Sequence, residues 1–309
     1  MRLILLGCTG FIGQELVPRL LASGHRVTLV SRKNPKNLSA SLNNINCNHL
    51  RLDPSKEGSW TDQALTNACK VCEGIINLTG EPIANKRWSN EHKKQLRNSR
   101  INTTKFLTNT LKKLKSSPKV LINASAIGYY GSSEENEFTE NSTCGSDFLA
   151  SLCEDWEMQA ANKPKATKLI VLRIGLVIAQ DGGIIGRMLP IFKAGLGGPI
   201  GNGKQWMSWI HRSDLCNIIE VSLNNKRWTG VVNCVAPHPI KMYELTNILG
   251  KQLNRPSFLP VPAIVLKLLL GDGAKIVLEG QKVKSEKLNG FKFQYSNIED
   301  ALIASTTRI

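Results

Sequence analysis

A short apolar run that enters a glycine-spaced loop and leaves it as a helix constrains this chain more than any other feature. MRLILLGCTGFIG is followed at once by the amphipathic stretch QELVPRLLASGH. The apolar run predicts a buried strand, with Gly7, Gly10 and Gly13 where the backbone leaves it. One glycine permits a tight turn, a second lets the main chain approach a pyrophosphate, and a third lets helix and strand pack closely. The N–H groups that open the helix, with the positive end of its dipole, then face the phosphates. The unit predicts a dinucleotide-binding βα turn in which Gly7, Thr9, Gly10, Phe11, Ile12 and Gly13 touch the cofactor. The spacing G-x-x-G-x-x-G departs from the commoner G-x-G-x-x-G, so the strand before it and the helix after it carry the assignment.

The next strand, HRVTLVSRK, narrows the ligand. An NAD-selective site places Asp or Glu near the end of this strand to accept hydrogen bonds from the ribose 2′-hydroxyl. Ser31, Arg32 and Lys33 stand there instead. A carboxylate would repel a 2′-phosphate, whereas a guanidinium can grip the phosphate or stack on adenine, and a serine hydroxyl can donate to it. The expectation is NADP; the alternative is a solvated basic turn in a chain that is basic throughout.

A chain of 309 residues suggests one large domain with a smaller lobe, and 41% hydrophobic with 21% charged residues is an ordinary globular balance. The net charge of +16 is scattered, with no basic helix interleaved with aromatics, which argues against a nucleic-acid partner. Anionic cofactor and substrate would use part of that charge. The eight cysteines form no disulfide framework, and Cys69-x-x-Cys72 lacks a second half, so buried thiols in a reducing compartment are expected and no metal site is. The N-terminal apolar run ends in the glycine loop without a cleavage-site pattern, and the late stretch VPAIVLKLLLGDGAKIVL carries Lys267, Asp272 and Lys275. The expectation is a cytoplasmic protein without a membrane partner.

Strand and helix signals alternate through LILLG, VTLVS, HLRLD, GIINLTG, KVLINASA and KLIVLRIGLVI, which predicts an α/β fold: a Rossmann-type doubly wound parallel sheet. Ligands of such sheets lie beyond the carboxyl ends of the strands. That rule adds Ser31, Arg32, Asp53, Leu78, Thr79, Gly80, Ser125 and Arg173 to Val177 to the rim of one cleft. Residues 1–235 are read as the cofactor domain, with 178–204 as a glycine-rich mobile loop serving the substrate side. Residues 236–309 are read as a small, largely helical lobe.

GCTGFIG, NLTGEPIANKRW with SRINTTKFL, NASAIGYYG, DFLASLCEDWE, LRIGLVI and SWIHRSDL together resemble an atypical branch of the extended short-chain dehydrogenase/reductases, labelled epimerase/dehydratase or sugar-nucleotide epimerase-like. The tail LPVPAIVLKLLLGDGAKIVLEGQKVKSEKL resembles the C-terminal domain of unknown function specific to that branch. The resemblance implies an NADP-dependent oxidoreductase or epimerase acting on a nucleotide sugar or similar hydroxylated small molecule. Members of the wider superfamily work through a Ser or Thr, a Tyr, and a Lys four residues after the Tyr. Ser125 matches the serine, but the helix Phe148 to Glu157 holds neither phenol nor amine. Four residues after Tyr129, Tyr130, Tyr243 and Tyr295 stand Ser133, Glu134, Asn247 and Glu299, so Tyr-x-x-x-Lys is missing from the chain.

Either Tyr129 or Tyr130, just after Ser125, supplies the phenol by another geometry, with Tyr130 taken as the candidate, or the ordinary chemistry is lost. Relatives of this branch are also labelled cell-division inhibitors, which leaves a non-catalytic, NADP-binding regulatory role open, with a homodimer or a regulatory protein as partner. Arg100 is read as reaching a cofactor phosphate or ribose, or as a surface ion pair, and Asp53 as a bond to the adenine amine or only the start of a loop.

Overall fold

The computed structural model describes residues 1–34, 42, 44–84 and 86–306. Seven parallel strands make the main sheet: β1 (Arg2–Leu6), β2 (Arg26–Ser31), β3 (Cys47–Arg51), β4 (Gly74–Asn77), β5 (Val120–Ala126), β7 (Lys168–Ile174) and β11 (Gly230–Cys234), in the order β11-β7-β5-β4-β1-β2-β3. The short strands β6 (Glu137–Phe138), β8 (Leu176–Ala179), β9 (Trp206–Met207), β10 (Trp209–His211), β12 (Ile240–Lys241) and β13 (Lys282–Val283) form three two-stranded pairs beside it.

Side chains alternate across a strand, and β1 shows why the sheet is covered twice. Leu3 and Leu5 pack with α1 (Gly13–Ala22) and α6 (Arg212–Asn224), through Leu16, Leu20, Leu215 and Ile219. Ile4 and Leu6 face the opposite way, against Leu65 of α2 (Gln63–Val71) and Leu107 and Leu111 of α3 (Asn90–Lys112). The fourth helix, α4 (Phe148–Ala161), packs against α3 and β5. Asp62, Ser89 and Asp147 cap α2, α3 and α4 by accepting from the N–H groups of Leu65, His92 and Ala150. The strand order reverses at β1, whose neighbours are β2 and β4, so a crevice opens beyond their carboxyl ends.

A second core lies beside the sheet. It is built by α5 (Gly183–Lys193), α7 (Met242–Leu253) and α10 (Ile298–Thr306) with β8 and β10, around Ile185, Phe192, Trp209, Met242, Leu249 and Leu302. The glycine-rich stretch 178–204, read as a loop, thus carries a helix, α5, at its centre. Ile185, Met188, Leu189 and Phe192 fall at i, i+3, i+4 and i+7, and that stripe is buried in the second core. The remaining helices, α8 (Ala263–Leu270) and the single turn α9 (Lys275–Leu278), precede β13.

The chain beyond Ala236 does not stay apart from the sheet. β13 pairs in parallel with β6, Leu288 joins the core of the sheet, and the buried Asp214 of α6 accepts from the N–H groups of Gln294 (2.6 Å) and Tyr295 (3.0 Å).

Candidate functional site

The glycine loop sits at the reversal point, and its three glycines answer to different constraints. Gly7 has φ +73°, and a Cβ there would come within 2.6 Å of the Thr79 Cα, so the loop after β4 closes directly on this backbone. At Gly13 a Cβ would lie 1.8 Å from the Cys8 carbonyl oxygen, so α1 leaves the loop in close contact with it. Gly10 is different: a Cβ would meet nothing nearer than the Gly7 oxygen at 3.7 Å, and its φ is not positive. Neither backbone strain nor the protein's own packing calls for glycine at that place. The space over it lies before α1, whose first turn has no side-chain cap.

A cleft of about 250 Å³ opens over this loop, lined among others by Gly7, Thr9, Gly10, Ser31, Arg32 and Lys33. Asp53, Thr79 and Gly80 line it too, so the structure brings the expected rim together from β1, β2, β3 and β4. Arg32 reaches across the mouth to Glu81 at 3.3 Å and is two-thirds exposed (66%), a guanidinium free to turn toward an anion. Lys33 donates to the Thr9 carbonyl (2.9 Å) and crosses over the glycine loop. The Ser31 hydroxyl is 2.8 Å from Nε2 of His49, a neighbour that sequence reasoning did not single out. Asp53 accepts from the N–H and the hydroxyl of Ser55 (3.0 and 2.7 Å), so one of its oxygens shapes the loop after β3.

Other expected contacts are placed less directly. Leu78 donates its N–H to Leu6 (2.9 Å), and Leu78, Ile12 and Val177 pack on the core of the sheet just below the rim. The ring of Phe11 lies under the Arg212 guanidinium (4.7 Å) and against Gly182 and Gly183. The Arg212 guanidinium also donates to the Phe11 carbonyl and pairs with Asp181, tying the start of α5 to the glycine loop. Among the described residues Arg100 makes no ion pair, and it is half-buried rather than on the surface. It donates to the carbonyls of Leu96 (3.0 Å) and Glu81 (3.1 Å), packs over the ring of Trp156 (5.3 Å), and would meet a Cβ at Gly80 at 2.7 Å. Its fork braces the loop after β4 from beneath, and burial lowers its pKa from the usual value.

At the carboxyl end of β5 the buried Ser125 donates to Glu157 of α4 at 2.6 Å. Glu157 in turn receives a two-pronged bond from Arg173 of β7, Nε at 2.9 Å and Nη2 at 2.8 Å. Burial works against the charge of Arg173, and Glu157 outweighs it, so its pKa rises. Arg173 also donates to the Tyr130 hydroxyl (2.9 Å), which donates to Asn233 (2.7 Å). Tyr130 is 3% exposed, and burial pushes its phenol up to about 12 although Arg173 and Asn233 pull the other way. Tyr129 is more open, with its ring 3.3 Å from the Arg173 guanidinium carbon.

Glu157 and, beside it, Arg173 thus stand next to the serine where a phenol and an amine were sought, with Tyr130 and Asn233 on the far side of Arg173. The available signal was the pair Cys153 and Glu157, four residues apart and so on one face of α4. The Cys153 thiol neighbours Ser125, and burial pushes it up to about 11.

A doubly wound parallel sheet with a glycine cradle at its reversal point, and a serine at the end of β5, defines a Rossmann-type dinucleotide-binding protein of the extended short-chain dehydrogenase/reductase class. The chain belongs to the NAD dependent epimerase/dehydratase family, which matches residues 3–234, and residues 261–304 match a C-terminal domain of unknown function, DUF1731. It is similar to an Arabidopsis thaliana chloroplastic homologue of epimerase family protein SDR39U1, 41% identical over 96% of this chain and 84% of that one. The crystal structure of human SDR39U1 with NADPH is 34% identical and covers 99% of this chain and 100% of that chain, with a TM-score of 0.86. MoeE5, solved with UDP-glucuronic acid and NAD, shares the fold at 17% identity, covering 98% and 97% of the two chains with a TM-score of 0.79. No helix among the described residues is long and apolar enough to cross a membrane.

Proposed function

We propose that this chain binds NADP(H) across the ends of β1, β2 and β4 and serves as an oxidoreductase or epimerase on a hydroxylated small molecule, the nucleotide sugars of its fold relatives among the candidates. The observation that carries the reading is the open space at Gly10 over the uncapped start of α1, a cradle where a Cβ would meet nothing nearer than the Gly7 oxygen at 3.7 Å and where a phosphate could approach the backbone. Arg32 and Ser31 beside that cradle favour a 2′-phosphate, in keeping with the NADPH of the human relative. Bound NADPH supplies hydride.

The chain's own part is to hold the nucleotide and to orient the substrate. Ser125, its hydroxyl held by the carboxylate of Glu157, is placed to hydrogen-bond a substrate hydroxyl and orient it, while Arg173 keeps Glu157 in position. Tyr130, bonded at its hydroxyl to both Arg173 and Asn233, is assigned to positioning Arg173.

A fluorescence titration of the full chain with NADPH and NADH tests the cofactor. Losing one charge-assisted hydrogen bond to the 2′-phosphate costs about 1.5–3 kcal/mol, so NADPH should bind roughly tenfold or more tighter than NADH, and Arg32→Ala should erase most of that margin. Equal binding of the two nucleotides would overturn the assignment.

A second reading is favoured by the missing Tyr-x-x-x-Lys together with the committed Tyr130: a regulatory protein that keeps NADP(H) without turnover and acts through a protein partner. Turnover that disappears in Ser125→Ala would exclude it.

A further inference from the structure

Beyond the nucleotide cleft, the loop after β4 leads from Pro82, on the cleft, to Ile83, on the wall of a second chamber of about 190 Å³. Its floor is Ala126, next to Ser125, with Cys153 of α4 beside it. Ile127, Leu149, Ile174, Leu176, Met207 and Ile276 supply most of the remaining wall. We infer that this chamber takes a small, uncharged, largely apolar carbonyl compound or the matching alcohol, and not a nucleotide sugar.

Three observations carry the inference. The volume is close to that of an engineered apolar cavity of about 150 Å³ that holds benzene. Apolar side chains make most of the wall, beside Ser132, Gln281 and three charged residues, and sugar hydroxyls buried against the apolar part would be left without partners. Charge at the mouth is also unsuited to a diphosphate. The charged lining residues are Lys275, Asp147 and Glu279, one cation against two carboxylates, and Asp147 is engaged as the cap of α4. Trp206 closes one side of the chamber. The lysines on its ring, Lys241 at 3.8 Å and Lys282 at 5.1 Å, are held there, and Lys282 also pairs with Glu137.

The inference rests on the proposed NADP(H) reading only for the identity of the reacting group, because the chamber's chemistry is set by its own wall. The test therefore measures nucleotide and probe separately. Full-length protein, with and without NADPH, is titrated with cyclohexanone, benzaldehyde and UDP-glucose while tryptophan emission and calorimetric heat are followed. Both carbonyl compounds should saturate and perturb Trp206 emission, whereas UDP-glucose should not saturate at the same concentrations.

Leu149→Asp and, separately, Ile276→Asp place a carboxylate in the chamber and should weaken the carbonyl probes roughly tenfold or more, with NADPH binding unchanged. Tighter binding of UDP-glucose than of either carbonyl compound, or no saturable carbonyl binding to the unsubstituted protein, overturns the inference. If NADPH fails to bind while the carbonyl compounds do, the cofactor reading falls and the chamber's assignment stands.

Discussion

Gly10 and Gly13 lie three residues apart in one loop, yet substitution should separate them cleanly. At Gly13 the new Cβ meets a backbone oxygen at 1.8 Å, which no rotamer can relieve, so Gly13→Ala should cost about 3 kcal/mol or more in denaturant unfolding. At Gly10 the nearest atom is at ordinary contact distance, so Gly10→Ala should leave stability within about 0.5 kcal/mol while NADPH titration shows weakened binding. The spacing of glycines was legible in the sequence, but not which of them serves the fold and which the ligand, because that depends on what the loop after β4 does. The same limit hid the partner of Ser125. Arg173 is 4% and Glu157 14% exposed at the side chain, and removing one member leaves the other charge buried. Glu157→Ala should therefore cost about 3–5 kcal/mol, and the double variant Glu157→Ala with Arg173→Met should recover part of that loss in the same unfolding measurement.

At the scale of elements, most of the sheet strands were legible because each is an apolar run of its own, whereas β11 (GVVNC) was not read as a strand. Within the glycine-rich stretch 178–204, α5 was obscured by Gly182, Gly183 and Gly186, although its stripe of Ile185, Met188, Leu189 and Phe192 has helical spacing. The cap of α6 is a histidine, outside the usual Ser, Thr, Asp and Asn. His211 Nδ1 accepts from the N–H of Ser213 (3.2 Å), and its ring centre lies 4.1 Å from that of Tyr295. Burial lowers the His211 pKa from 6.5 to about 4; Glu15 opposes that shift, while Arg212 and Arg19 add to it. An unfolded chain takes up the proton below 6.5 that the folded chain refuses until about 4. His211's contribution is thus intact above pH 6.5, shrinks as pH falls toward 4, and loses nothing more below that, for a total of up to about 3 kcal/mol. His211→Asn keeps an oxygen acceptor for the cap and removes the titration. Urea unfolding at several pH values should show the wild-type advantage over His211→Asn narrowing across that window, and a constant difference would disprove the assignment.

For the whole molecule, the decisive question is whether the tail is a lobe or a strap. Ser208 donates to the Gln281 carbonyl (2.8 Å) and accepts from the N–H of Val283 (2.9 Å). Glu140 accepts from Asn233 N–H, Ser285 Oγ and Glu286 N–H, and the Asn233 side chain donates to the Lys284 carbonyl. These bonds tie residues 281–286 to Ser208, between β9 and β10, and to Asn233 of β11, the last strand of the sheet order, whose N–H finds its partner in Glu140. Asp214 then fixes Gln294 and Tyr295 to α6, and α10 returns to the second core. The chain crosses between the two cores too often for either to melt alone. Thermal unfolding followed by far-ultraviolet circular dichroism should coincide with that followed by tryptophan fluorescence, to which Trp60 reports from the sheet's core and Trp209 from the second one. Asp214→Ala removes two hydrogen bonds and should cost about 1–3 kcal/mol, lowering both transitions together. Two separated midpoints in the unsubstituted protein would mean that the strap does not couple the cores, and the second core would then be free to move as a lobe over the chamber it borders.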